Sequence, residues 1–306
     1  MSDSETGYVI GIDIGGTFLR IGALDENRKF GGFAIESCSI LNRNNRQLDN
    51  LAEYIQEYVK KHCIGRLIGI CIGFPSAVSR DKKVVFQSPN IRGFDGVNVA
   101  DPLELAFNVP VSVDNDVNNL LIYEVMERRL ENCGTILGIF FGTGLGNAIY
   151  MNNAIFEGKH GIAGELGHIP VWGKSDPCGC GNPGCIEMYA SGKRLEELRS
   201  RYFPDTDIKE VFLRHRDEEI VQEYIETLAI PIAVEMNILD PDYIITGGGV
   251  VNMEGFPRED LESYVYRHAR KPYPARDFTI TYAAGNRESG AHGAAYNAFK
   301  RLGIAI

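Results

Sequence analysis

Three apolar runs in this chain each end in a glycine-rich turn: "YVIGIDIGGT" at 8–17, "TILGIFFGTGLG" at 135–146 and "DYIITGGGVV" at 242–251. Short, almost continuously apolar runs read as strands buried on both faces, and glycine at their ends lets backbone N–H groups come close to an anion. The turns do not match GxxxxGK[ST], and Gly142-Thr143-Gly144-Leu145-Gly146 is not the dinucleotide fingerprint. A single glycine cluster would serve equally well as a tight turn. Three after three strands, with hydroxyls at Thr17 and Thr143, suit a polyphosphate gripped between two turns. Asp13 lies in the first turn where the second has Phe140 and Phe141. One carboxylate beside phosphates suits a Mg²⁺ held largely through water, a turn-capping aspartate being the alternative.

Between these runs the period changes. In "LDNLAEYIQEYVKKHC" (48–63) Leu48, Leu51, Ala52, Ile55 and Val59 fall at helical spacing, and "RLIGICIGFP" (66–75) then reads as a buried strand. Downstream, "VPVSVDNDVN" reads as a strand ending in a polar cluster, "LIYEVMERRL" as a helix, and "SGAHGAAYNAFKRL" as a closing helix rich in small residues. Strand, helix and buried strand together predict an α/β fold with a parallel, helix-covered sheet. The likeness of "VIGIDIGGT" to "ILGIFFGTG" suggests an internal repeat of two βαβ-type halves. At 306 residues and 44% hydrophobic, the chain can bury two medium cores. A net charge of -10, with both signs interspersed, argues against a nucleic-acid partner. "MSDSETGY" lacks an apolar signal core and no stretch is apolar enough to span a bilayer, so a cytoplasmic protein without a membrane partner is expected.

Seven cysteines is an odd count, and cytosolic thiols stay reduced, which disfavours disulfides. Cys178-Gly-Cys180 also lacks the two-residue spacer of a redox pair. Metal fits better: Cys178, Cys180 and Cys185 lie among Gly179, Gly181, Pro183 and Gly184, and His168 supplies a fourth ligand. Three sulfurs and a nitrogen form a closed tetrahedral set, the preference of structural Zn²⁺. Cys38, Cys63, Cys71 and Cys133 read as core or near-core residues. The carboxylates form a second constellation. Asp114, Asn115, Asp116 and Asn118 end a strand, while Glu165 precedes His168 by three residues and Glu187 follows Cys185 by two. A braced set of carboxylates and an imidazole suits the vicinal hydroxyls of a sugar.

"GIDIGGT", "DNDVN", "GTGLG", "GIAGELGH", "CGCGNPGCIE" and "GGG" occur here in the order of the ROK (repressor, ORF, kinase) sugar kinases, which the chain resembles over nearly its whole length. "GFPSAVSRDKKVV", "SPN", "GKHGIAGELGHIPV" and "NILDPDYIITGGGVVNMEGFPRE" are most similar to the D-allose kinases of that family. The resemblance implies an actin-like ATPase (ribonuclease H-like) fold of two lobes around a central cleft. It places the N-terminal lobe at 1–116, with a helix of about 287–306 returning to it, and the second lobe at 117–286, carrying the zinc loop 168–185. ATP-dependent phosphorylation of a hexose 6-hydroxyl follows, with D-allose as the expected substrate, another hexose (glucose, fructose, mannose or N-acetylmannosamine) as the alternative, and a homodimer as the assembly. Asp116 would be the base. Asn115, Asp116, Glu165, His168 and Glu187 would hold the sugar, and the region around Ser76 and Asn90 would touch it. Asp13, Gly15, Gly16, Thr17, Gly142, Thr143 and Gly144 would line the phosphates, with Gly247, Gly248 and Gly249 near the adenosine. Phe18 stands where many members have lysine. Two other functions remain open: a ROK-type repressor, which needs a DNA-binding helix-turn-helix ahead of Asp13 where about a dozen residues leave no room, and a non-catalytic sugar sensor, which would be expected to lack the base.

Overall fold

The computed structural model describes residues 6–44, 46–62, 65–88, 91–304 and 306. These form two compact units: one takes the chain up to Leu130, Glu157–Ala163 and everything from Asn286, the other Glu131–Phe156 and Gly164–Gly285.

In the first unit a five-stranded sheet has the order β3-β2-β1-β4-β8, with β1 Gly7–Ile14, β2 Phe18–Asp25, β3 Phe30–Ser37, β4 Arg66–Phe74 and β8 Val111–Asn115. The β1, β4 and β8 strands are parallel, whereas β1–β2 and β2–β3 are antiparallel. A small antiparallel sheet, β5 Ala77–Val78, β6 Val84–Gln87 and β7 Val97–Asn98, follows β4. Ile10, Ile12 and Ile14 of β1 pack with Ile70, Ile72, Phe74 and Val113 into one core. Helix α1 (Gln47–His62) buries Leu51, Ile55 and Tyr58, and α2 (Ala100–Phe107) buries Leu103. Helices α3 (Asp116–Arg128) and α8 (Ser289–Arg301) complete the unit. The small residues of α8 have a steric reason. A Cβ at Gly11 would collide with the Ala291 carbonyl, and one at Gly293 with the Asn119 carbonyl, so only glycine lets α8 lie this close to β1 and α3.

The second unit repeats the arrangement. Its sheet runs β11-β10-β9-β12-β13, with β9 Ile136–Phe141, β10 Leu145–Met151, β11 Ala154–Ile155, β12 Tyr243–Gly247 and β13 Ile280–Tyr282. Again the first three elements along the chain are antiparallel and the later strands parallel. Around it lie α4 (Gly192–Tyr202), α5 (Val211–His215), α6 (Glu219–Leu239) and α7 (Arg258–His268). Leu228, Ile232 and Met236 of α6 pack with Ile139, Phe141 and Ile244 in a second core. No helix among the described residues is long and apolar enough to cross a membrane.

Three expectations change. The sheets are mixed rather than parallel, and the first two glycine turns close β-hairpins where βαβ-type halves are expected: residues 15–17 and 142–144 are too few for a parallel crossover, which needs a dozen or more. The first unit also continues past residue 116 to Leu130, because α3 packs on α8, and it recovers 157–163 through ion pairs of Glu157 with Lys82 and Arg301. Cys38 and Cys71 are buried, Cys133 is partly exposed, and Cys63 lies outside the described residues.

Candidate active site

In the first unit, Asp13 and Asp116 stand at the carboxyl ends of parallel strands, where open α/β sheets bind ligands. Asp13 is opposite Gly73 of β4, and Gly73 is opposite Asp114 of β8, so β4 separates the two aspartate-bearing strands. The strand β8 stops because Asn115 caps α3: its backbone is extended (φ -65°, ψ 139°) and its side-chain oxygen accepts the Val117 N–H at 2.9 Å. That makes Asp116 the first helical residue, where a negative charge meets the positive end of the helix dipole. Asn115 Nδ2 also donates to the Ser76 carbonyl at 3.3 Å. Arg20 Nη1 pairs with Asp13 Oδ2 at 2.9 Å.

These carboxylates sit in an environment that disfavours charge. Burial, more than the charge of Asp13, pushes Asp116 up to about 7. Burial likewise raises Asp13 against the opposing pull of Arg20. Near them, Ser76 Oγ, Asn119 Nδ2 and Ser289 Oγ are buried with no hydrogen-bond partner among the described residues. Ser289 adjoins Gly290, which abuts the Asp13 carboxyl, and Asn119 Nδ2 lies against Gly73. Orphaned buried donors beside two repelling carboxylates fit a site completed by a hydrated cation and a polar ligand. In the first glycine turn Gly15, Gly16 and Thr17 are at least partly exposed, and the Cys38 thiol donates to the Gly15 carbonyl at 3.0 Å from behind. Phe18 is 43% exposed.

The neighbouring Asp114 is different. Its Oδ1 accepts from Lys82 Nζ at 2.9 Å, Asn118 Nδ2 at 2.8 Å and the Asn115 N–H at 2.9 Å, while Oδ2 accepts from Asn297 Nδ2 at 2.9 Å and Arg301 Nη2 at 3.1 Å. Burial alone would raise this carboxyl, yet Lys82 and Arg301 hold it below the usual range. Glu157 Oε1 meets the same two cations at 3.2 and 3.1 Å, closing a neutral tetrad. Sequence reading grouped Asp114 with the ligand-facing cluster and missed this network, whose only local signal is a charged Asp within a strand.

In the second unit, His168, Cys178, Cys180 and Cys185 present ligand atoms that all lie within 4.8 Å of one another. His168 Nδ1 is 3.5 Å from Cys178 Sγ, and Cys180 Sγ is 3.6 Å from Cys185 Sγ. Tetrahedral Zn²⁺ with bonds of about 2.3 Å needs ligand separations of roughly 3.8 Å, so this cluster can hold one. The other ring nitrogen of His168, Nε2, is 3.5 Å from Glu165 Oε2. Burial raises Glu165, His168 opposes this, and Glu187 adds to it. The carboxylates and the knuckle are thus one group within this unit.

The second glycine turn adjoins that group. Glu187 Oε2 accepts the Leu145 N–H at 2.9 Å, and nothing lies within 4 Å of a Cβ at Gly142. Thr143 is exposed. In the third turn, Gly247 packs on Ala283 and Phe140, and Gly248 (φ +96°) on the Phe141 backbone, leaving Gly249 with open space around its Cβ position. Asn90 lies outside the described residues. A buried Glu235, pushed by burial up to about 8 and bonded by Asn147 Nδ2 at 2.8 Å, was also missed by sequence reading; it lies behind β10 in the core.

Residues 9–301 match the model of the ROK family. Among curated relatives, N-acetyl-D-glucosamine kinase of Photobacterium profundum is 30% identical over 95% of this chain and 99% of its own. The enzyme of the same name from Yersinia pseudotuberculosis (strain YPIII) is 29% identical over 94% and 97%. Among solved structures, the ROK family glucokinase from Streptomyces griseus, in complex with glucose and AMPPNP, aligns with TM-score 0.79 and 25% identity over 96% of this chain and 100% of that one. Such structures carry the actin-like ATPase fold, which this chain shares.

Proposed function

The chain belongs to the ROK family as a sugar kinase, and from that premise we propose that it transfers the γ-phosphoryl of ATP to the 6-hydroxyl of a hexose, with Asp116 as the base. The observation that carries the residue assignment is the placement of Asp116: it heads α3 beside Asp13, with its carboxyl pushed up to about 7. A base tuned near neutrality is matched to taking a proton from an alcohol as the P–O bond forms, a role worth ~10²–10⁴ in rate. On the resemblance, Asn115, Ser76, Glu165, His168 and Glu187 are assigned to the sugar hydroxyls. Gly15, Gly16, Thr17, Gly142, Thr143 and Gly144 offer N–H and hydroxyl donors to the phosphates, and Gly249 with its neighbours Gly247 and Gly248 is assigned to the adenosine.

Asp13 would hold Mg²⁺ through water, and the ion would neutralise charge on the transferring phosphoryl group. Zn²⁺ would be held by His168, Cys178, Cys180 and Cys185 and would brace the loop that carries the sugar-binding groups. Phe18 removes a side-chain cation that many members offer, so the backbone donors carry more of the phosphate binding. A homodimer is proposed from the same resemblance.

D-Allose is the substrate we favour, on the likeness of residues 73–85, 88–90 and 237–259 to the D-allose kinases. The names of the curated relatives favour a second reading, N-acetyl-D-glucosamine. Epimers differ by one hydroxyl, so discrimination rests on single hydrogen bonds. ADP release with allose, glucose, mannose, fructose, N-acetylmannosamine and N-acetylglucosamine, and NMR of the product, tests both. Highest kcat/KM for allose with phosphate on O6 is expected. Highest kcat/KM for N-acetylglucosamine would replace the first reading with the second, and no ADP release with any sugar would contradict both.

A further inference from the structure

We infer that Glu187 shapes the second glycine turn for nucleotide phosphates as well as meeting the sugar, and so acts as a positioning residue toward ATP. This rests on the kinase reading above. The turn is held by one short stretch, 187–193. The Gly142 carbonyl accepts the Gly192 N–H at 2.8 Å, and the Thr143 carbonyl accepts the Lys193 N–H at 3.2 Å. In a trans peptide the carbonyl and the following N–H point opposite ways, so these bonds turn the N–H groups of Thr143 and Gly144 away from α4. That is the orientation an incoming anion requires.

The remaining peptide, Gly144–Leu145, is locked at both ends: its carbonyl accepts the Gly142 N–H at 3.0 Å and its N–H donates to Glu187 Oε2 at 2.9 Å. A Cβ at Gly144 would meet that same oxygen, so a side chain there would push the carboxylate off the Leu145 N–H. Oε1 has no hydrogen-bond partner among the described residues and is left for a hydroxyl. By charge alone a carboxylate here would oppose phosphate binding. Its place is explained by what Oε2 does for the turn. The neighbouring acid Glu165 makes no bond to the turn among the described residues, which makes it the natural control.

Calorimetric titration of ADP into the full chain without sugar tests this, with thermal melts confirming that each variant is folded. Glu187→Ala is expected to weaken ADP binding about three- to tenfold, the effect of one lost hydrogen bond. Glu187→Gln, whose amide oxygen still accepts the Leu145 N–H, should remain within about twofold of wild type, and Glu165→Ala should bind ADP unchanged. Gly144→Ala should weaken ADP when Glu187 is present and add little to Glu187→Ala, each single variant and the double being checked for folding by its melt. Wild-type ADP affinity in Glu187→Ala and in Gly144→Ala, or an equal loss in Glu165→Ala, would overturn the inference while leaving the kinase reading intact. No ADP binding by the wild type would overturn the kinase reading itself.

Discussion

Asp114 and Asp116 are two residues apart, the first fully buried and the second partly so, and their surroundings shift the two carboxyls in opposite directions. Asp114 accepts five hydrogen bonds, two of them from cations, so it stays ionised, whereas Asp116 has the Val117 N–H and the repelling Asp13. Lys82 and Asp114 are the two fully buried members of the tetrad, and removing either leaves the other's charge undercompensated. Asp114→Asn and Lys82→Met are each expected to cost about 3–5 kcal/mol in urea unfolding. Together they should cost clearly less than the sum; strict additivity would mean the pair is not coupled. None of this was legible in "DNDVN", since the cations come from 32 and 187 residues away along the chain. Polar residues after an apolar strand do announce a site, but which carboxylate receives the positive charges is decided by long-range packing.

Among the elements, the knuckle is the most local and was the most readable. Its four candidate ligands fall within His168–Cys185, and the glycines between them allow the tight loop that the spacing implies. Cys180→Ser is expected to release Zn²⁺, lower the melting temperature and weaken sugar binding as Glu187 and His168 lose their support. Freshly purified wild type without zinc by metal analysis would contradict this. The strands of the glycine turns were equally readable, because apolar runs of this length have few alternatives. Their hairpin partners β2 and β10 were not, as "FLRIGALD" and "LGNAIYM" alternate too weakly to show which way the chain returns. Nor does anything in "SGKRLEELRS" announce that its first amides hold a turn 50 residues earlier.

At the scale of the whole molecule, two sheets built on one plan, each opening with a glycine hairpin, give physical substance to the faint repeat between residues 9–17 and 136–144. Composition and motif order were enough for an α/β sugar kinase of this family, while the unit boundary at Leu130 depended on contacts of α3 with α8 that no local pattern encodes. The central claim concerns Asp116, and its substitution by asparagine is the most direct measurement. Because burial pushes the folded-state carboxyl up to about 7, above its unfolded value of 3.8, wild-type activity should fall as pH drops through about 7, and stability should decline as pH rises from the unfolded value to about 7 and level off above it. Asp116→Asn at pH 8 is therefore expected to melt no lower than wild type and to keep hexose binding by calorimetry, while kcat falls ~10²–10⁴-fold. Near-wild-type kcat in that variant would contradict the account.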